Sequence, residues 1–345
     1  MEIYDTRTLA GVISVQKPPI LYWLDWFPTV MTFDTMDIMW DVIAPTQRLA
    51  PFVAPNVQGR IMRRQGYSDK VFRPAYSKPK HVVDPSQTLA RMAGEAIATG
   101  SFSLQQRYLA IVAENMRLEK ELLMRRYEWM AARAIIDGEV TVTGDDYPTK
   151  TVIFGRDASL TTTLLTTTRW NQSTSTPLAD LAAARRSSFR LANTTIRRLT
   201  FGLNAWDSFS SHADIRPLLS TLVRGSTTEF NIAVPDGAPY EYMGFIAGQG
   251  GMGRLDLFTY AAEYEDDNSV LQPFMDADTV VGTGPGIQGV QCYGAIRDFD
   301  AGLVATQMFS KMWREQDPSV AFTMTQSAPL MVPAQPNGCF RIKVQ

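Results

Sequence analysis

The stretch SLQQRYLAIVAENMRLEKELLMRRYEWMAARAIIDG, residues 103–138, decides the architecture. Leu104, Tyr108, Ile111, Leu118, Leu122 and Trp129 recur at helical spacing with Arg and Glu between them, the pattern of an amphipathic helix. Ser103 is placed to cap its N-terminus, and Gly138 to close its C-terminus. Glu121 can pair with Arg125, and Arg117 can reach Glu121, one turn away in each case. No Gly or Pro falls between Ser103 and Ile136. A helix of that span would be a rod about 50 Å long, where globular helices average about 11–12 residues. Asn115, Arg125 and Arg126 interrupt the seam that a continuous coiled coil needs. The spacing predicts one long, stiff helix.

Downstream, Val140–Thr143 and Thr151–Phe154 flank Gly144-Asp145-Asp146 and read as a hairpin. The Thr-rich run Leu160–Thr168 is strand or loop. Thr176-Pro177 opens a second helix, with Pro at its first position, running through Leu178, Leu181 and Phe189 to Asn193. Short apolar runs punctuated by Gly and Pro follow: Phe230–Val234, Tyr242–Ala247, Leu255–Tyr260, Thr279–Gly282 and Val290–Ile296. The C-terminus adds Val320–Gln326, Leu330–Val332 and Cys339–Val344, the last with Phe340, Ile342 and Val344 on one face. The expected class is α+β with largely antiparallel strands.

Upstream, residues 1–48 read as an extended arm. Pro18, Pro19, Pro28 and Pro45 forbid long helices. Trp23, Trp26 and Phe27, with Tyr22, Phe33 and Trp40, offer apolar faces that must pack on the chain's own core or on another copy. Residues 58–81 hold Arg60, Arg63, Arg64, Lys70, Arg73, Lys78 and Lys80 against Asp69, a balance of +6. Gly66-Tyr67-Ser68-Asp69 reads there as the tip of a hairpin. A basic segment of this kind can bind phosphate, lie solvated, or meet an acidic surface. The chain supplies such a surface: Asp236 to Asp278 contain nine acids and one base, Arg254, a balance of −8. Separated charges of opposite sign suit pairing between copies.

The 345 residues are enough for about two domains or one elaborate one. With 45% hydrophobic residues, wholesale disorder is excluded. A net charge of −2 argues against a dedicated nucleic-acid binder. The apolar run Ile20–Met39 contains Asp25, Asp34 and Asp37, each costing about 2.5–3.5 kcal/mol at a bilayer centre, so no membrane span is expected. Met1–Gly11 lacks the apolar core of an export signal, so a cytosolic chain with no leader or propeptide is expected. Two cysteines, Cys292 and Cys339, then read as buried thiols. Gly248–Arg254 lacks the GK[ST] ending of a phosphate loop and precedes a strand pattern, and Gly282–Gly286 reads as a turn. His81 and Asp84 lack further ligands, Ser210, Ser211 and His212 lack a nucleophile elbow, and Glu263–Asp267 lacks the spacing of a calcium loop. No catalytic residue, cofactor or metal site is expected.

Three segments carry a resemblance. The first is Tyr76-Ser77-Lys78-Pro79-Lys80-His81-Val82-Val83-Asp84-Pro85, followed by Thr88-Leu89 and Arg91. The second is Ile136-Asp137-Gly138 through Thr141-Val142-Thr143-Gly144. The third is Tyr293-Gly294 with Asp298 and Asp300, then Phe322-Thr323-Met324-Thr325-Gln326-Ser327-Ala328-Pro329-Leu330-Met331. In this order they resemble the major capsid proteins of lambda-type tailed phages, the E family, whose shell fold is Hong Kong 97-like. A non-viral nanocompartment shell of the same fold is the alternative.

The resemblance implies an N-terminal arm over 1–48 and an extended E-loop over 49–88. It implies a peripheral domain over 89–175 and 301–345, with a spine helix at about 103–136, and an axial domain over 176–300. It also implies hexamers and pentamers closing into an icosahedral head around double-stranded DNA held non-specifically, assembled in the host cytoplasm and residing in the virion. The partners implied are other copies, a scaffolding protein, a decoration protein at three-fold sites and a portal at one vertex. Within that frame Trp23, Trp26 and Phe27 on the arm, and Arg60, Arg63, Arg64 and Lys70 on the E-loop, are the expected contacts between subunits.

Overall fold

A computed structural model describes residues 21–43, 52, 55, 58, 67–89, 103–144, 146–217, 237–246, 253–266, 268–302, 305–317 and 319–345. Phe230–Val234, Gly66, Gly248–Met252 and the expected contact residues Arg60, Arg63 and Arg64 lie outside the described residues. A short 3-10 turn, Leu24–Trp26, leads into strands β1 (Thr29–Thr32) and β2 (Ile38–Ile43). Strands β3 (Tyr67–Phe72) and β4 (Lys80–Val83) and a short helix α1 (Pro85–Leu89) precede the long helix α2 (Leu104–Ile136). Ser103 caps α2 reciprocally: its Oγ accepts the Gln106 N–H at 3.2 Å, and Gln106 Oε1 accepts the Ser103 N–H at 2.8 Å. Such a capping box satisfies two donors at once. Gly138, at φ +74°, turns the chain out of the helix through the left-handed region that favours glycine.

The face that α2 buries is not the one its leucines suggest. Leu104 and Leu122 are exposed, while Tyr108, Val112, Met116, Glu119, Leu123 and Tyr127 are buried. That stripe keeps helical phase, but it is continuous only if a glutamate is counted as part of the core. Arg117 forms the expected pair with Glu121 and a second with Glu114 at 2.7 Å.

Beyond α2, β5 (Glu139–Gly144) and β6 (Tyr147–Ile153) form the expected hairpin. Of the Thr-rich run only β7 (Thr161–Thr163) is a strand. Helix α3 (Pro177–Ala192) ends at Asn193 in the left-handed region. Strand β8 (Arg198–Phe201) and helix α4 (Leu203–Ser211) follow, neither of them expected from the sequence. Then come β9 (Tyr240–Ile246), β10 (Leu255–Tyr260), β11 (Glu263–Glu265), β12 (Leu271–Pro273), β13 (Thr279–Thr283) and β14 (Gly289–Tyr293). The chain closes with β15 (Phe309–Glu315), which the sequence reading missed, β16 (Val320–Gln326), β17 (Pro329–Pro333) and β18 (Cys339–Lys343).

The fold is α+β, but its strands are less uniformly antiparallel than expected. The largest sheet has the order β7-β18-β13-β8-β10-β9, and two three-stranded sheets have the orders β1-β14-β17 and β15-β16-β4. Strands β1 and β14, β8 and β10, and β7 and β18 run parallel. Parallel neighbours need a crossover rather than a tight turn, and α4 lies in the connection between β8 and β10. The hairpin tip expected at Gly66–Asp69 is also displaced. Tyr67, Ser68 and Asp69 lie within β3, which pairs with β2 from Ile38↔Phe72 to Ile43↔Tyr67. The two strands of this hairpin therefore stand on either side of residue 48.

One apolar core surrounds the C-terminal half of α2, a second lies between α3, α4 and the six-stranded sheet, and a small third joins the start of α2 to Val83, Met312 and Ala321.

Candidate assembly surfaces

The arm residues come to rest inside the chain. Trp23 and Phe27 are fully buried, Tyr22 nearly so, and Trp26 is partly buried at the edge of the same core. A neighbour could reach the Trp23 or Phe27 side chain only if it left this core. A carboxylate from α2 holds the segment. Glu128 Oε1 accepts the N–H groups of Tyr22 at 2.9 Å and Trp23 at 2.8 Å, and Oε2 accepts the N–H of Leu24 at 2.9 Å. These are donors at the start of the 3-10 turn, which carries no side-chain cap of its own and would otherwise leave them unpaired. Burial pushes the Glu128 carboxyl above its ordinary range, against the pull of the three N–H donors, with nearby Asp25 adding to the rise.

The other side of the arm segment meets the six-stranded sheet. The Tyr22 hydroxyl shares a 2.6 Å hydrogen bond with Thr200 Oγ1 in β8. The Arg198 guanidinium stands 5.3 Å from the Tyr22 ring and 4.9 Å from those of Trp26 and Phe258, within cation–π range. Trp23 packs edge-on to Tyr260. Gln291 Nε2 donates to the Phe27 carbonyl at 2.7 Å, just before β1 pairs with β14.

Glu119 does similar work nine residues earlier on α2, about half a turn round the helix from Glu128. Fully buried, it accepts Thr323 Oγ1 at 2.8 Å and Thr325 Oγ1 at 2.7 Å, both from β16. His81 Nδ1 of β4 lies 3.3 Å from the same carboxylate. Burial raises this carboxyl too, against the two threonine hydroxyls and His81. His81 is thus a structural neighbour of a buried acid.

The base of the β2–β3 hairpin is fastened to the chain's own body. Arg73 makes a two-point contact with Asp37, at 2.8 and 3.0 Å, which holds the Asp37 carboxyl below its ordinary range. The Tyr147 hydroxyl donates to the Arg73 carbonyl at 2.6 Å, and the Lys70 ammonium donates to the Ile153 carbonyl. Ile38 and Phe72, paired across the hairpin, point inward, while the next pair, Met39 and Val71, is exposed at 56% and 59%. Ile153, whose carbonyl Lys70 holds, is exposed as well. An exposed apolar pair such as Met39 and Val71 marks a candidate surface of association.

Among the remaining candidates for chemistry, the Gly282–Gly286 turn falls into a structural role. Gly282, Gly284 and Gly286 sit where a methyl group would overlap the Phe340 ring, the Thr195 carbonyl and the Thr194 side chain respectively. They serve close packing. His212 lies 3.9 Å from Asp214. Among the described residues no group of three or more His, Cys, Asp or Glu could hold a metal ion, and no helix is long and apolar enough to cross a membrane.

The first and third of the segments that carried the resemblance turn out to be neighbours. Strand β4 pairs with β16, and Ser77 bridges to Ser327. The Tyr76 hydroxyl donates to the Ala295 carbonyl at 2.7 Å, and the Gly294 N–H to Ala328 at 2.9 Å. The long helix α2 with Tyr22–Phe27 fastened against it, the β2–β3 pair and the strand-rich remainder make up a Hong Kong 97-like fold. The sequence model of the phage major capsid protein E family matches residues 5–344, and the chain belongs to that family. It is 31% identical to the major capsid protein of Escherichia phage lambda over 98% of both chains. It is 29% identical to that of Enterobacteria phage P21 over the full length of both. Among solved structures it superposes on a prophage capsid protein of Escherichia coli CFT073 with a TM-score of 0.74, at 21% identity over all of both chains. It superposes on a phage-related protein of Bordetella bronchiseptica with a TM-score of 0.53.

Family membership makes the chain a major capsid protein, a component of the virion that assembles with its own kind into a shell. The nanocompartment alternative is not favoured.

Proposed function

We propose that the chain forms hexamers and pentamers that close into an icosahedral head around double-stranded DNA, and that it acts by assembly rather than catalysis. The observation that carries this reading is the β2–β3 hairpin. Its base is clamped by Arg73, Tyr147 and Lys70 while Met39 and Val71 are left uncovered, a rigid mount for a surface that another copy can cover. Repetition around closed symmetry turns such modest contacts into a stable shell.

In the same reading, assembly takes place in the host cytoplasm on a separate scaffolding protein, with a portal at one vertex and a decoration protein at three-fold sites. The N-terminal arm covers 1–48 and the E-loop 49–88, with β2 from the first paired to β3 from the second. The peripheral domain covers 89–175 and 301–345, and the axial domain 176–300. Arg60, Arg63 and Arg64 meet acids of an adjacent copy, such as Glu241, Glu263 and Glu265, which are exposed on β9 and β11. Trp26, left partly exposed, is the arm aromatic best placed to touch a neighbour. A DNA-lined interior suits a chain of net charge −2, since phosphate binding scales with Lys and Arg.

Size-exclusion chromatography with light scattering, and negative-stain imaging of the largest fraction, tests the reading. Closed shells, or rings of five and six subunits, are expected. A chain that stays monomeric with its scaffold present would overturn it.

A further inference from the structure

We propose that Tyr22–Phe27 is a separable keystone between the spine helix and the six-stranded sheet, with Glu128 as the positioning residue that latches it. The segment meets α2 through apolar packing and the Glu128 carboxylate, and touches the sheet through Tyr22, Trp23 and Trp26. Three consecutive backbone N–H groups converge on that one carboxylate, a backbone nest whose anion is supplied from a distant helix. The three contacts form or break together, because a single carboxylate holds all three donors.

The opposite side of α2 is governed by a different residue. Glu119 binds Thr323 and Thr325 of β16 from a position half a turn away, and it shares no partner with Glu128. Loss of one carboxylate leaves the contacts of the other in place, so the helix can give up the arm while keeping its sheet. Sites without shared partners behave independently to within a few tenths of a kcal/mol. Polar latches also suit release, since each group that lets go finds water as its new partner.

Hydrogen exchange on the unassembled full chain, read by mass spectrometry on peptides covering 22–27 and 320–326, tests this. Glu128→Gln should speed exchange at 22–27 by about tenfold or more, the equivalent of one lost charge-assisted hydrogen bond, with 320–326 unchanged. Glu119→Gln should do the reverse. Glu128→Asp, which keeps the charge on a shorter arm, should fall between wild type and Glu128→Gln at 22–27. Segments that accelerate together in either variant, or a 22–27 segment indifferent to Glu128→Gln, would overturn the proposal. Should Glu128→Gln fail to fold, the wild-type chain decides the matter in low guanidinium: 22–27 should open at a lower concentration than 320–326, and a single coincident opening would count against it. The experiment reads the single chain, so its failure leaves the capsid reading intact.

Discussion

Two glutamates on a helix rich in surface charge prove to be its most deeply engaged side chains. Glu119 and Glu128 are both held above the ordinary carboxyl range by burial, and this fixes the sign of their effect on stability. An unfolded glutamate titrates near about 4.3. Between that value and the raised folded value, the folded chain binds a proton that the unfolded chain has released, so stability falls as pH rises through the window. Glu119→Gln and Glu128→Gln should each flatten this slope, measured as urea unfolding free energies between about pH 4 and 7. The groups facing Glu119 are His81, Thr323 and Thr325; those facing Glu128 include Asp25 and Tyr260. A second prediction concerns packing. Gly282→Ala would drive a methyl into the Phe340 ring, costing about 1–3 kcal/mol, whereas Gly144→Ala would meet only Tyr147 Cβ at 3.8 Å and leave the melting temperature far less changed.

At the scale of elements, much of the fold was legible because patterns were local. Val320–Gln326 and Leu255–Tyr260 match their strands end to end, since each is bounded by turn residues and rich in apolar groups. The helix over 103–136 announced itself by caps and by an unbroken run of helix formers. Strand β8 did not, because a four-residue strand buried on almost every position offers no alternation to detect. The buried stripe of α2 was misread because Glu119 interrupts it, and a glutamate in a charged helix looks solvated. Its only sequence signal is its phase with Tyr108, Val112, Met116 and Leu123. For the arm, the sequence showed that the aromatics needed cover and left open what covers them; burial of Trp23 and Phe27 within the chain required the fold. The capping box gives a further expectation. Ser103→Ala should cost about 0.5–2 kcal/mol, with faster exchange confined to the first turns of α2 and a lower urea midpoint.

At the scale of the whole molecule, charge and anchoring combine. If the basic residues meet acids on the next copy, Arg63→Glu together with Arg64→Glu should lower shell yield at low salt, and added salt should recover part of it, since the reversed charges repel and are screened beyond about 10 Å at 0.1 M. Assembly that proceeds normally at both salt concentrations would argue that the loop is merely solvated. Two of the three segments that carry the family resemblance meet in space, where β4, β16 and the turn at Tyr293-Gly294 share hydrogen bonds, so each restricts what the other can be. The interval between Glu119 and Glu128 acts on the molecule like the angle between two keys on one shaft. Inserting a single residue between them would rotate one carboxylate about 100° relative to the other, and no sliding of the helix could bring both home. The interval therefore sets the angle at which the arm and the sheet leave the helix, and a chain that altered it would have to be a differently shaped subunit.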